Sequence, residues 1–169
     1  SGTDFFAKVS KEWQAPLDTL NTPNTRKATF RIGFVLGRDG GGLPPLATLT
    51  KCFLGGKLGS GKQWLSWIHI EDVGRMFCWA IESEALGHYN ATAPHPVTNE
   101  EFMATLREQL HRPWSPPAPA FVLRLLGKVM APDPSLALIS SRILPKRAME
   151  EGFGFEFPDL ESAMKNLLQ

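Results

Sequence analysis

The sequence predicts an α/β fold, and three observations predict it. The run Ala28 to Gly37 is short, rich in β-branched and aromatic residues, and apolar nearly throughout, as a strand covered on both faces is. Strand-like and helix-like segments then alternate through the middle of the chain. From about Arg112 onward the pattern is mostly helical, which predicts a smaller helical subdomain over 112–169 behind a body of 1–111.

The elements follow in order. Residues 1–20 read as a helix, with Phe5, Phe6, Val9 and Trp13 at helical spacing and Thr3 or Asp4 as cap. Pro16 is expected to limit it, because the residue before a proline resists the helical region. Asn21 to Lys27 reads as a polar loop, and Ala28 to Gly37 as one strand ending in a glycine cluster. A helix over 43–54 starts at Pro44-Pro45. Gly55 to Lys62 is a glycine-rich turn before a strand over 64–70. Glu71 and Asp72 open the next helix, where carboxylates suit the helix dipole, and Asp72 is expected to cap it. A short strand over 88–92 precedes a helix over 100–110, and Thr98 with Glu101 has the spacing of a capping box. Asn99 reads most simply as a cap of that helix. Residues 114–119 are proline-rich and extended. Helices are expected over 120–130, where Phe121, Leu125, Leu126 and Val129 form a packing stripe, and over 135–144. Gly152 to Phe157 alternates like a strand, and a last amphipathic helix spans 160–168.

Composition bounds the function. Hydrophobic residues make up 43% and charged residues 21% of 169, which is globular and not disordered composition. A net charge of +1 gives no electrostatic footprint for nucleic acid or an anionic membrane, and no apolar run is long enough to span a bilayer. Two cysteines, Cys52 and Cys78, are too few for a disulfide framework and are expected to be buried or half-buried thiols in a reducing intracellular compartment. Asn90-Ala91-Thr92 matches a glycosylation sequon, but no secretory signal accompanies it. The absence of an initiator Met suggests a processed or truncated chain. His88, His95 and His111 have no metal-ligand spacing among themselves or with the cysteines, so no metal site is expected.

Several motifs carry more. They are Arg31-Ile32-Gly33-Phe34-Val35-Leu36-Gly37, then Gly56-Lys57-Leu58-Gly59-Ser60-Gly61-Lys62-Gln63, then Ser66-Trp67-Ile68-His69-Ile70-Glu71-Asp72-Val73. Further on stand GHYNATAPHPVTNEEF, Arg142-Ile143-Leu144-Pro145-Lys146-Arg147 and Gly152-Phe153-Gly154-Phe155. In order and spacing this set resembles the second half of the extended short-chain dehydrogenase/reductases. It is closest to the atypical branch called the epimerase family, and the resemblance covers nearly the whole chain. It implies the C-terminal part of a Rossmann-like doubly wound sheet, with a small mostly helical subdomain on the substrate side. It also implies an NADP or NAD cofactor, bound in the complete protein across the C-terminal ends of parallel strands. Gly33, Phe34 and Val35 are then the candidates for the nicotinamide end, with Gly33 allowing close approach of a ring. Gln63, Trp67 and His69 lie where the class places its substrate-facing wall.

The chain departs from the class in three places. No glycine fingerprint for a dinucleotide follows a strand at the start of a βαβ unit. The turn Gly55 to Lys62 lacks the ending of a phosphate loop and leads into a strand instead of a helix. The Tyr and Lys of the class, in which the Lys lowers the Tyr pKa for acid–base work, fall on Phe6 and Ser10; Lys11 is one place on, and the single tyrosine is Tyr89. The catalytic residues are therefore unassigned. Trp64-Leu65-Ser66 follows Gln63 where nucleotide-sugar members often carry a diphosphate-binding Arg, which argues against such a substrate. Two functions remain open: a portion of an NAD(P)-dependent oxidoreductase or epimerase acting on an unassigned small molecule, or a non-catalytic module that self-associates through an uncovered sheet edge as a homo-oligomer.

Overall fold

A computed structural model of the chain describes residues 5–118 and 138–169. The expected helix over 120–130, its apolar stripe and the start of the helix over 135–144 lie outside the described residues. From Leu138 to Leu144 the chain is irregular, so the second of those helices does not continue there.

The first helix, α1, spans Phe5–Thr19 and carries Pro16 inside it. At its C-terminal end, from the proline onward, carbonyls find side-chain partners. The Lys27 ammonium donates to the Leu17 and Leu20 carbonyls, at 3.0 and 2.7 Å, and the Thr19 hydroxyl donates to Pro16 O at 3.0 Å.

The expected single strand over 28–37 is two. Strand β1, Ala28–Ile32, pairs in parallel with β5, Gly87–Ala91, whereas β2, Phe34–Leu36, pairs in parallel with β4, Trp67–His69. Gly33 is the joint. Its N–H donates to Ala91 O at 3.0 Å, the next N–H, of Phe34, donates to Ser66 O at 2.8 Å, and Ala93 N–H donates to Trp67 O. The sheet is thus a fork: β1 and β5 run side by side, then diverge, and β4 enters between β2 and the residues after β5. A Cβ at Gly33 would lie 2.5 Å from Ser66 O and 2.9 Å from the Thr92 methyl. Only a glycine lets β4 enter so close to the stem.

The strand expected over 64–70 also divides, into β3, Trp64–Leu65, and β4; Ile70 already belongs to the following helix. Strand β3 pairs antiparallel with β6, Val97–Thr98. Helix α2, Leu43–Lys51, starts at the two prolines and stops three residues short of the expected end, before Phe53 takes a positive φ. Helices α3, Ile70–Glu82, and α4, Asn99–Gln109, flank the sheet. Helix α4 has the full capping box: Glu101 N–H donates to the Thr98 hydroxyl oxygen while the Glu101 carboxylate accepts from Thr98 N–H.

A short helix α5, Lys146–Glu150, was not expected, and the last helix, α6, spans Leu160–Leu168. Between them Gly152 to Phe157 is not a strand. Its alternation is real in burial but it has no partner strand; the N–H groups of Glu156 and Phe157 donate instead to the Asp72 carboxylate, at 2.8 and 3.0 Å.

Two hydrophobic clusters hold these pieces, and the tail contributes to both. Leu160, Ala163, Met164 and Leu167 of α6 pack with Leu36, Trp67, Phe102 and Leu106. Ala148 and Phe153 pack with Ile68, Val73, Met76 and Tyr89 on the other side. Both cysteines are exposed, against the expectation of buried thiols: Cys52 ends α2 and Cys78 lies on the solvent side of α3. Among the described residues no helix is long and apolar enough to cross a membrane.

Candidate functional site

Parallel strands β2 and β4 end together, Leu36 opposite His69. A cleft of about 530 Å³ opens beyond their C-terminal ends, where an open α/β sheet places its ligands. Three segments form it. The glycine-rich turn Gly37 to Gly42 folds back over β2, with Gly42 N–H donating to Val35 O at 3.2 Å. Gly41 makes that return possible: its φ is +74°, and a Cβ there would lie 2.6 Å from Val35 O. The first turn of α3 supplies Ile70 and Glu71, and the end of α6 supplies Asn166 and Leu167. Arg38 ties the turn to the tail by donating to Asn166 O at 2.8 Å.

His69 sits behind this cleft, with no exposed surface. Its Nδ1 accepts the Glu71 N–H at 3.1 Å and so caps α3, and its Nε2 lies 3.2 Å from Asn166 Oδ1. Since Nδ1 accepts, the ring proton is on Nε2 and is donated to Asn166. Phe157 stacks on the ring at 3.9 Å. Burial lowers the His69 pKa, against the opposing pull of Glu71, the Asn166 hydrogen bond and Asp72. Asp72 is fully buried too. The sequence makes it a helix cap; the structure gives that task to His69 and turns Asp72 toward the tail, where it accepts from Glu156 N–H, Phe157 N–H and Arg75.

The other residues singled out from the sequence fall as follows. Phe34 is half-buried against the first cluster and meets Phe102 edge-on, and Val35 packs against the second. Gly33 is filled in by the fork itself, as described above. Trp67 has no exposed surface, and its indole N–H donates to His95 O at 3.0 Å. Gln63 is buried and donates to Leu58 O at 2.9 Å. Of the three wall candidates only His69 abuts the cleft, and it does so through Asn166. Asn99 is not the cap of α4; it is buried, and its Oδ1 accepts Leu58 N–H at 2.8 Å. Tyr89 is buried, donates to Glu151 at 2.6 Å and accepts Leu86 N–H, and burial first, then the Glu151 bond, raises its pKa.

Four N–H groups of the turn Gly55 to Lys62 have partners in the protein. Leu58 N–H donates to Asn99, Gly59 N–H to Ala118 O, Gly61 N–H to Leu58 O and Lys62 N–H to the Ser60 hydroxyl. A Cβ at Gly56 would lie 1.8 Å from Pro116 O, so its glycine serves close packing on the proline-rich stretch.

Ile32, 48% exposed, followed by half-buried Phe34 and Val35, gives an apolar strip at the fork that suits a planar ring. The Gly55 turn leads into β3 and not into a helix, whereas the turn Gly37 to Gly42 joins β2 to α2. Among the described residues no group of three or more His, Cys, Asp or Glu is placed to hold a metal ion.

Sequence reasoning missed Asp72 as an anchor, and Arg38, Asn166 and Phe157 as parts of the site. Asn166 is one polar residue on an amphipathic helix and carries no local signal. Phe157 was legible through its alternation, though not its partner.

A family model described as a domain of unknown function (DUF1731) matches residues 118–167. The chain is 38% identical to the epimerase family protein SDR39U1 homolog, chloroplastic, of Arabidopsis thaliana, covering 100% of this chain and 48% of that protein. Human epimerase family protein SDR39U1 (isoform 2), crystallised with NADPH, is 32% identical with a TM-score of 0.88, over 98% of this chain and 55% of that one. A UDP-glucose 4-epimerase from Thermus thermophilus, in complex with NAD, shares the fold at 15% identity and a TM-score of 0.60, over 96% of this chain and 49% of that one. The chain spans about half the length of the curated relatives it matches.

Proposed function

We propose, on the premise that this chain is the C-terminal part of an epimerase family protein, that it supplies the nicotinamide-side strand and the substrate-side wall of an NAD(P)-dependent oxidoreductase or epimerase acting on a small molecule. The observation that carries this reading is the cleft at the C-terminal ends of parallel β2 and β4, one turn from the apolar strip Ile32 to Val35. Binding of NADPH by the human relative favours NADP as the cofactor. When bound, such a dinucleotide gives or takes a hydride. Phe34 and Val35 would hold its ring by apolar contact, and Gly33, whose missing side chain makes room for β4, would place them. Gln63, Trp67 and His69 would act from behind the wall: Gln63 and Trp67 by fixing the turn and loop around it, His69 by fixing the first turn of α3. None of them is assigned a proton-transfer role. A reducing compartment is the proposed setting, since both thiols are exposed and unpaired.

Reduced nicotinamide mononucleotide tests the assignment without the adenine half. Amide shifts mapped on the labelled chain are expected to move at Ile32 to Gly37 and in the first turn of α3. Shifts confined elsewhere, or none at millimolar probe, would remove the assignment.

A second reading is a self-associating module, and a specific surface favours it. Phe77, Ile81 and Leu86 are exposed, Ile81 by 75%, beside a shallow groove that includes Ala28 and Phe30 of β1. A concentration series in the analytical ultracentrifuge that yields a dimer supports this reading, and a compact monomer at every concentration counts against it.

A further inference from the structure

The motif Arg142 to Arg147 has no part in holding a nicotinamide ring, yet its first residues are fastened across the fork. Ser141 N–H donates to Trp64 O at 3.0 Å, and Trp64 N–H donates to the Ser140 hydroxyl at 3.1 Å. The buried Ser66 hydroxyl donates to Ser141 O at 2.7 Å and accepts the Ile143 N–H at 2.8 Å. Thr92, also buried, donates to Ile143 O at 3.3 Å, and the Asn90 amide donates to Leu144 O at 3.1 Å. The tail thus runs from β3 to the end of β5, past Ser66 and Thr92, the two residues that crowd Gly33. These bonds use its backbone. The side chains of Ile143 and Leu144 stay exposed, at the end of β1 and β5 where Ile32 is exposed too.

Arg142 stands between the two Ser66 contacts. Its guanidinium carbon lies 4.5 Å from the centre of the Trp64 ring. Every other arginine among the described residues donates to an oxygen of the protein, as Arg38 does to Asn166 O and Arg147 to Glu151. Arg142 alone among them has only the ring. Stacking holds a guanidinium by its face and leaves the N–H groups of its edge for a carboxylate or phosphate. A cation already placed on a ring also loses less freedom when it binds.

We propose that Ser140 to Leu144 is a substrate-recognition strap, on which Arg142 binds an oxyanion while Ile143 and Leu144, with Ile32, meet an apolar body. The substrate class is a small carboxylic acid or phosphate ester with an apolar part. This rests on the proposed function, since a molecule that exchanges hydride with a ring on the strip Ile32 to Val35 must sit at this end of β1 and β5.

Benzoate and phenyl phosphate are the probes, and benzamide is the uncharged control. Each is titrated into the labelled whole chain, and shifts are read at backbone amides, indole N–H groups and arginine Nε–H groups. One of the two anions, at millimolar concentration, is expected to move Arg142 Nε–H, the Trp64 indole and the amides of 141–144. The larger response tells a carboxylate from a phosphate, and benzamide is expected to move none of these signals. Arg142→Gln is expected to weaken the binding about tenfold, and Arg142→Lys to restore part of it, because an ammonium keeps the charge without the fork. Shifts elsewhere only, equal shifts with benzamide, or undiminished binding by a folded Arg142→Gln chain overturns the strap. The benzamide comparison needs no variant and decides the matter if Arg142→Gln fails to fold. If neither anion binds while reduced nicotinamide mononucleotide does, the strap falls and the cofactor assignment stands. The opposite pair of results strikes the cofactor assignment and leaves Arg142 as an oxyanion site.

Discussion

Gly33 and His69 are single residues on which larger structures turn. At Gly33 the missing side chain is space already taken by Ser66 O and the Thr92 methyl. Backbone oxygen cannot swing aside as the end of a flexible side chain can. Gly33→Ala is expected to lose about 2 kcal/mol or more of stability, measured by chemical denaturation, because the fork must spread to admit one methyl. Retention of the wild-type midpoint would mean that β4 does not sit as close as described. At His69 the sign follows from burial, which lowers the folded-state pKa below the unfolded value. Between those two values the unfolded chain binds more protons, so stability rises with pH across that window. The contribution is fully present above about pH 6.5 and is lost as pH falls through the lowered folded value. Denaturation midpoints at a series of pH values are expected to fall below about 6.5 in the wild type, and this component should vanish in His69→Asn.

The elements show which local rules are strong enough to survive tertiary context. The α4 capping box, the two-proline start of α2 and the amphipathic face of α6 were all legible, because each is decided within a turn or two of helix. Thr98→Ala is expected to lose about 1 kcal/mol, seen as an equal drop by circular dichroism and by tryptophan fluorescence; a neutral result would show that the Glu101 carboxylate alone suffices for the cap. Two strands were read as single runs because β-propensity records the residues and not their partners. The run over 28–37 changes partners at Gly33, and the run over 64–70 changes sheet at Ser66. Gly152 to Phe157 misled for the related reason that alternating burial needs no ladder when a buried carboxylate takes the N–H groups. Helix α5 is five residues long, too short to leave a periodic signal.

The whole molecule joins a forked sheet to a tail that shares its core. The α/β class and the relation to the epimerase family were legible from the strand run and from the order of the motifs. The site was legible in part. His69 emerged because it lies in a motif, whereas Asn166 and Arg38 did not, since what makes them matter is a meeting across 128 residues of chain. Trp67 and Gln63 were picked out for a surface and turned out to be the framework behind it. The chain lacks a dinucleotide fingerprint, and its glycine turn Gly55 to Lys62 leads into a strand. On the proposed function, these 169 residues supply one end of a cofactor site, and the chain spans about half the length of its relatives. The most direct measurement is a titration of NADPH into the intact 169-residue chain, its mass confirmed, with the five tryptophans as reporters. No saturable binding is expected in the micromolar range, since the dinucleotide fingerprint is absent from these residues. Tight, saturable binding by this chain alone would contradict that expectation.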